Sequence, residues 1–299
     1  MNIGSIVTSL PPFLRRHKLI QLLLIIWPNS RVQLIHFNDS ARIFADLGEP
    51  WPRQTLITGI CEPEFFTIAA KFLSKGGIFF DVGANTGALS FGLMADFGYP
   101  NVEYHLFEAN SKISQLLIQS RRLYPEEKIW INNFCVTAKS GFSKLNVDLN
   151  NSPVSFISPT GNTLVENLIL DEYISERNIT KINFLKMDIE GHEPFAINGL
   201  MNSLKKGIVE AIYIELSSKS LFHSGFCAKD VFNLLKEGGF HLFFVKRADF
   251  ESGIASKSRI FTLNVYGSPL TVAEVEIENF PNEYQTDILA IHEKAHLDV

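Results

Sequence analysis

In the stretch FFDVGANTG, an apolar run leads into Asp81, Gly83, Asn85 and Gly87 at alternate positions. Glycines let a backbone turn sharply and come close to a ligand. A helix that follows such a turn offers free N–H groups at its first turn. A dinucleotide loop uses G-x-G-x-x-G to bring backbone against a pyrophosphate. Here the spacing from Gly83 is G-x-x-x-G, and Asn85 stands where a further glycine would fall. Asp81 adds a carboxylate at the mouth, which repels a pyrophosphate and attracts an ammonium or a sulfonium. The loop favours a cationic cofactor that carries an amino acid, and S-adenosylmethionine is one. The plainer reading is a buried aspartate beside two turn glycines.

Two further groups belong with the loop. Glu108 ends VEYHLFE, about one βαβ half-unit later, where an acid accepts both hydroxyls of a ribose. That role does not separate an adenosyl cofactor from NAD. In FLKMDIEGHEPF, Asp188 and Glu190 stand two apart at a strand end and share a face. His192 and Glu193 follow Gly191 at a helix start, and Pro194 suits its first turn. This set has three open uses. It could bind a divalent metal, take the proton from a substrate hydroxyl, or, through Asp188 or Glu190, anchor the cofactor's amino group. His192 suits a base because imidazole titrates near neutral pH; capping the helix is its alternative. Glu215 ends IYIEL at the same edge, either lining an acceptor pocket or simply closing its strand. His36, His105 and His223 lack partners at ligand spacing, and His292 and His296 read as a solvated i, i+4 pair.

Elements of regular spacing must hold these groups. RVQLIHF and ARIFADLG read as strands about an Asn38-Asp39 turn, and EPEFFTIAAKFLSKGG as a helix closed by Gly76-Gly77. IFFDVG is an unbroken apolar strand, as in a sheet covered on both faces. Strand then alternates with helix through VEYHLFE, SKISQLLIQSRRLY, IWINNFCV, INFLKMDIE, PFAINGLMNSLKK, VEAIYIEL, AKDVFNLLKEGG and FHLFFVK. Such alternation requires parallel pairing with right-handed crossovers. FHLFFVK and RIFTLNVYG have no helical pattern between them and predict an antiparallel hairpin. The expected fold is α/β and Rossmann-like: a mostly parallel seven-stranded sheet with an antiparallel C-terminal hairpin strand and helices on both faces. The expected organisation is an N-terminal helix and small strand extension over 1–60, a main domain over 61–267, and an acidic tail over 268–299, helical near YQTDILAIHEKAHL.

Composition narrows the function. The 299 residues carry a net charge of -5, which gives no reason to expect nucleic acid. Three scattered cysteines, Cys61, Cys135 and Cys227, fit a reducing, cytoplasmic compartment and offer no zinc spacing. RRHKLIQLLLIIWP is too short to span a bilayer. It predicts a helix docked on its own domain, with contact to an anionic membrane as the alternative.

In order and spacing, DVGANTG, FEAN, LILDEYISE, FLKMDIEGHE and INGL resemble the FkbM family of S-adenosylmethionine-dependent methyltransferases, over roughly Glu62 to Val245. The resemblance implies a class I methyltransferase fold and O-methylation of a hydroxyl on a sugar, glycolipid or natural product. It makes Asp81, Gly83, Asn85 and Gly87 the cofactor loop and Glu108 the ribose acid, puts Cys135 and Val136 near the adenine, and puts Asp188, Glu190 and Glu193 on the acidic motif. Ala109 stands where many members have proline, and His192 where many have alanine. The resulting expectation is a methyltransferase with His192, Asp188 and Glu190 at the chemistry, Glu193 and Glu215 toward a small-molecule or carbohydrate acceptor, and no required metal. Homo-oligomerisation stays open. An NAD(P)-dependent oxidoreductase and a non-catalytic cofactor-binding protein are the competing readings.

Overall fold

The structure, a computed structural model, describes residues 3–9, 16–147, 155–251, 255, 260–266, 268–281, 283–295 and 297–298. Helices α1 (Ile3–Ser9) and α2 (Arg16–Ile26) precede a hairpin, β1 (Val32–Phe37) and β2 (Ala41–Asp46), whose turn is the expected one. Next come α3 (Pro50–Thr58), α4 (Pro63–Leu73) and β3 (Gly77–Val82), the strand that ends in Asp81-Val82. Then follow α5 (Ala88–Gly92), β4 (Val102–Phe107), α6 (Ser111–Arg121) and β5 (Lys128–Asn132). A small sheet holds β6 (Cys135–Val136), β7 (Phe142–Asn146), β8 (Phe156–Ile157) and β9 (Thr163–Leu168), in the order β6-β9-β7-β8. The chain returns through α7 (Leu170–Glu176), β10 (Phe184–Met187), α8 (Glu193–Asn198), α9 (Met201–Lys206) and β11 (Ala211–Ser217). It ends with α10 (Ser218–His223), α11 (Ala228–Glu237), β12 (Phe240–Phe244), α12 (Arg247–Glu251), β13 (Ile260–Val265), β14 (Ser268–Glu274), β15 (Gln285–His292) and β16 (Leu297–Asp298).

The main sheet runs β16-β13-β14-β12-β15-β11-β10-β3-β4-β5. Strands β5, β4, β3, β10 and β11 are parallel, and β15 lies antiparallel between β11 and β12. This is the Rossmann-like class I methyltransferase arrangement, a seven-stranded core extended by β14, β13 and β16. The chain leaves β3 toward β4 and β5 and returns to β3's other side as β10. That reversal opens a crevice at the carboxyl ends of β3 and β10, where ligands bind in such sheets.

Both faces of the sheet are covered, as the apolar strands require. Phe79 on β3 joins Phe65, Phe72 and Phe184 in one cluster, and Phe80 joins Phe107, Tyr173 and Met187 in the other. The first cluster also takes in Ile35, Phe37, Ile43 and Ala45 of the N-terminal hairpin.

Four expectations change. Residues 285–292 are not a tail helix but a central strand with seven of eight positions buried. That strand fills the antiparallel slot expected of RIFTLNVYG, while β13 turns back on β14 and not on β12. The stretch IWINNFCV breaks at Asn133-Phe134: β5 stays in the main sheet and β6 pairs with β9. His292 is buried in β15 rather than solvated, and His296 lies outside the described residues.

Candidate active site

The loop after β3 is shaped by backbone geometry. Gly83, Asn85 and Gly87 have φ of +81°, +50° and +77°, a region that side chains with a Cβ rarely enter. A Cβ on Gly83 would stand 1.8 Å from the carbonyl oxygen of Asp188, so only glycine lets the two loops touch. A Cβ on Gly87 would meet the side chains of Leu117 and Phe91 at 2.6 Å. The Gly83 and Ala84 N–H groups donate to the Phe107 carbonyl at 3.0 and 2.9 Å, tying the loop to the end of β4.

Asp81 does not face the cavity, which corrects its expected place at the mouth. Its carboxylate is buried behind the loop, accepts a bond from Ser90 Oγ at 2.6 Å, and lies 3.6 Å from Lys186 Nζ. Burial raises its pKa, while Lys186 and Ser90 oppose that rise. Asp81 therefore holds Lys186 and the α5 start in place.

Glu108 follows β4 and lines the cavity. Its two oxygens accept the Asn85 N–H at 2.9 Å and the Asn110 N–H at 2.8 Å, which fixes the carboxylate across the loop mouth. Burial pushes its pKa up to about 7. Phe134, Cys135, Val136, Ala109 and Ile113 line the cavity beside it and form an apolar wall.

The turn after β10 supplies the polar wall. Lys186 is buried. Its Nζ donates to the Gly83 carbonyl at 2.7 Å and lies 3.4 Å from Asp188. Burial alone would lower the lysine's pKa, but Asp188, Asp81, Glu62 and Glu215 outweigh that and raise it. Glu190 adopts a left-handed conformation at φ +54° and accepts a bond from Ser220 Oγ at 3.1 Å. Burial, then Asp188, raises its pKa. The His192 ring is buried against Phe195, with Nε2 3.1 Å from Thr137 Oγ1, and burial lowers its pKa to about 4. Glu215 accepts a bond from Gln285, and burial, then Asp188 and Asp287, lifts it to about 8.

Glu193 is not an acceptor-side residue. It is 2% exposed, does not line the cavity, and accepts the Ile189 and Gly191 N–H groups at 3.0 and 3.3 Å. It braces the turn that presents Asp188, Glu190 and His192.

Together these walls enclose a cavity of about 260 Å³. Gly83, Asn85, Glu108, Cys135, Val136, Asp188, Glu190, His192 and Glu215 all line it, while Asp81, Gly87 and Glu193 lie behind it. Trp51, Glu62, Thr86, Phe134 and Lys186 line it as well, although the sequence reading did not single them out. Lys186 had a signal, a lysine within the apolar run NFLKM. Trp51 and Glu62 had none, because α3 and α4 reach the cavity only through folding. Among the described residues, no group of three or more His, Cys, Asp and Glu could hold a metal ion.

S-adenosylmethionine fits this site on three observations. The glycine cradle leaves no room for a Cβ, Glu108 is oriented by two backbone donors, and the cavity-lining Thr86 has a buried Oγ1 without a protein partner. Fold and site thus define a class I, S-adenosylmethionine-dependent methyltransferase. The chain belongs to the FkbM methyltransferase family: the Methyltransferase FkbM domain matches residues 81–242, over half of its length. The hexuronic acid methyltransferase AglP of Haloferax volcanii is 31% identical over 81 residues, which span 27% of this chain and 30% of that relative. Methyltransferase FkbM of Methylobacillus flagellatus KT is 16% identical with a TM-score of 0.43, over 82% of this chain and 55% of that one. Precorrin-6y C5,15-methyltransferase of Geobacter metallireducens GS-15 is 8% identical with a TM-score of 0.39, over 77% of this chain and 87% of that one.

Proposed function

We propose that the protein methylates a hydroxyl oxygen of a sugar, glycolipid or other polyhydroxylated natural product. The observation that carries this reading is the carboxylate wall: Glu62, Asp188, Glu190 and Glu215 line one cavity, and its lysine is already engaged by Gly83 and the acids around it. Carboxylates accept hydrogen bonds from hydroxyls, and several converging ones suit a polyol. Bound S-adenosylmethionine supplies an electrophilic methyl group. Glu108 orients the ribose, the Phe134–Val136 wall covers the adenine, and Asp188 takes the amino group. Glu190 and Glu215 hold the acceptor. An alcohol loses its proton as the new bond forms, and a base near the working pH does this best.

That match moves the base role away from His192. With a pKa of about 4 the imidazole is a weak base, and its Nε2 already meets Thr137. Glu215, near 8, is better matched. The acid-rich wall also disfavours an anionic acceptor. The hexuronic acid named for the Haloferax relative carries a carboxylate; the acceptor here is an uncharged sugar.

The test follows conversion of S-adenosylmethionine to S-adenosylhomocysteine with matched hexosides and hexuronosides. Neutral glycosides are expected to turn over faster. The rate should rise with pH through about 8, because Glu215 acts only once deprotonated, and Glu215→Gln should lose that limb while binding S-adenosylhomocysteine normally. Methylation confined to uronates, or an unchanged pH limb in Glu215→Gln, would refute the assignment.

A further inference from the structure

Helix α2 is apolar on both sides. Ile20 is buried, and Leu19, Leu23 and Leu24 pack against the core. On the other side Leu22 is 54% exposed, Ile25 77% and Ile26 54%, with Trp27 exposed just beyond the helix end. At helical spacing Lys18, Leu22, Ile25 and Ile26 share one face, and Lys18 is exposed as well. Leu22, Ile25 and Ile26 form a contiguous exposed apolar patch beside Lys18, and such a patch calls for a cover.

Charge says what covers it. Residues 1–38 contain Arg15, Arg16, Lys18 and Arg31 and no acid; Arg31 pairs with Asp46, whereas α2 itself carries Arg16 and Lys18 and no acid. The first sixty residues carry six bases against three acids, although the whole chain is at -5. A second copy docked through the same face would set one acid-free α2 against another and offer Lys18 no counter-charge. An anionic lipid surface offers both an apolar layer and negative charge. The helix has 11 residues, about 16 Å long, so it cannot cross a bilayer and is suited to lie flat in the interface.

We propose that the outer face of α2 docks the protein on an anionic membrane surface, with Leu22, Ile25, Ile26 and Trp27 in the headgroup–acyl boundary and Lys18 at the phosphates. The placement serves catalysis: α3 packs against α2, and its Trp51 lines the cavity, so the docked face and the site are joined through one helix.

The experiment is co-sedimentation of the full chain with vesicles of phosphatidylcholine alone and of phosphatidylcholine mixed with phosphatidylglycerol. Partition onto the mixed vesicles is expected to exceed that onto neutral ones by about tenfold and to fall with salt. Ile25→Glu should lower it about tenfold or more, and Lys18→Glu about fivefold. Both variants should bind S-adenosylhomocysteine as the parent does, because neither residue touches the cavity. Equal binding to both vesicle types, no binding to either, or binding unchanged in both variants would overturn the proposal. A dimer that Ile25→Glu dissociates, without vesicle binding, would assign the face to a second copy instead.

Discussion

Two glutamates of one turn-and-strand edge have similar chemistry and separate tasks. Glu215 keeps a hydrogen-bonding oxygen at the cavity, whereas Glu193 uses its carboxylate on the backbone N–H groups of Ile189 and Gly191. Burial holds the Glu193 carboxyl near 7, against 4.5 in an unfolded chain. Between those values the native state binds more protons than the unfolded one, so this group's contribution is full below pH 4.5 and is lost as pH rises through 7. The loss amounts to about 3 kcal/mol. Glutamine keeps the accepting oxygen and cannot ionise. Relative to the parent, Glu193→Gln should therefore gain about 3 kcal/mol of stability between acid and mildly alkaline pH, read from urea melts at both ends. An unchanged difference across that range would show that Glu193 is not held protonated by burial. The buried His105 and His192, both near 4, act with the opposite sign and lose their contribution as pH falls from 6.5 toward 4, so the comparison must be made between variant and parent.

At the element scale, the site is the contact between two loops. The turn after β3 and the turn after β10 meet at Gly83 and Asp188, with Lys186 bridging them from below through the Gly83 carbonyl, Asp81 and Asp188. Ala at position 83 would place its Cβ inside the contact distance of a backbone oxygen and would adopt a positive φ. Neither loop can yield, because Asp188 N–H also bonds the Val82 carbonyl at 3.0 Å. Gly83→Ala is expected to abolish S-adenosylhomocysteine binding by calorimetry and to lower stability by several kcal/mol, within the range of strained-backbone and overpacking effects. Normal binding in that variant would mean that the loops separate freely and that the cradle is not the cofactor site.

At the scale of the molecule, the acidic C-terminal segment is structural. Glu274, Glu276, Glu278 and Glu283 are exposed, but Asp287 is buried on β15, where it accepts the Tyr213 hydroxyl at 2.7 Å and pairs with Lys246. Strand β15 pairs with β11 over seven residues and with β12 over five. Deleting residues 285–299 should leave an insoluble chain without a cooperative unfolding transition, whereas deleting 297–299 should leave melting nearly unchanged. A soluble, cooperatively folding 1–284 fragment would show that the parallel strands hold without their antiparallel neighbour.

Local pattern carried much of this protein. Alternation of apolar strands with helices, Asp81-to-Gly87, Glu108, and the Asp188–His192 run were legible because turn glycines, strand-end acids and helix-start prolines act within a few residues of themselves. They specified the fold class and the two turns, after β3 and after β10, that meet at the cavity. Tertiary structure decided what depends on distant partners. Asp81 and Glu193 carry the expected residue types, yet burial and hydrogen bonds turn both away from the cavity. Residues 285–292 hold an apolar run of only four, Ile288 to Ile291, too short for periodicity to choose helix or strand, and pairing with β11 and β12 made the segment a strand. Trp51 and Glu62 reach the site only because α3 and α4 fold over it. Nor could composition show that burial would push His192 down to about 4 and Glu215 up to about 8, since a pKa belongs to the surroundings that folding assembles.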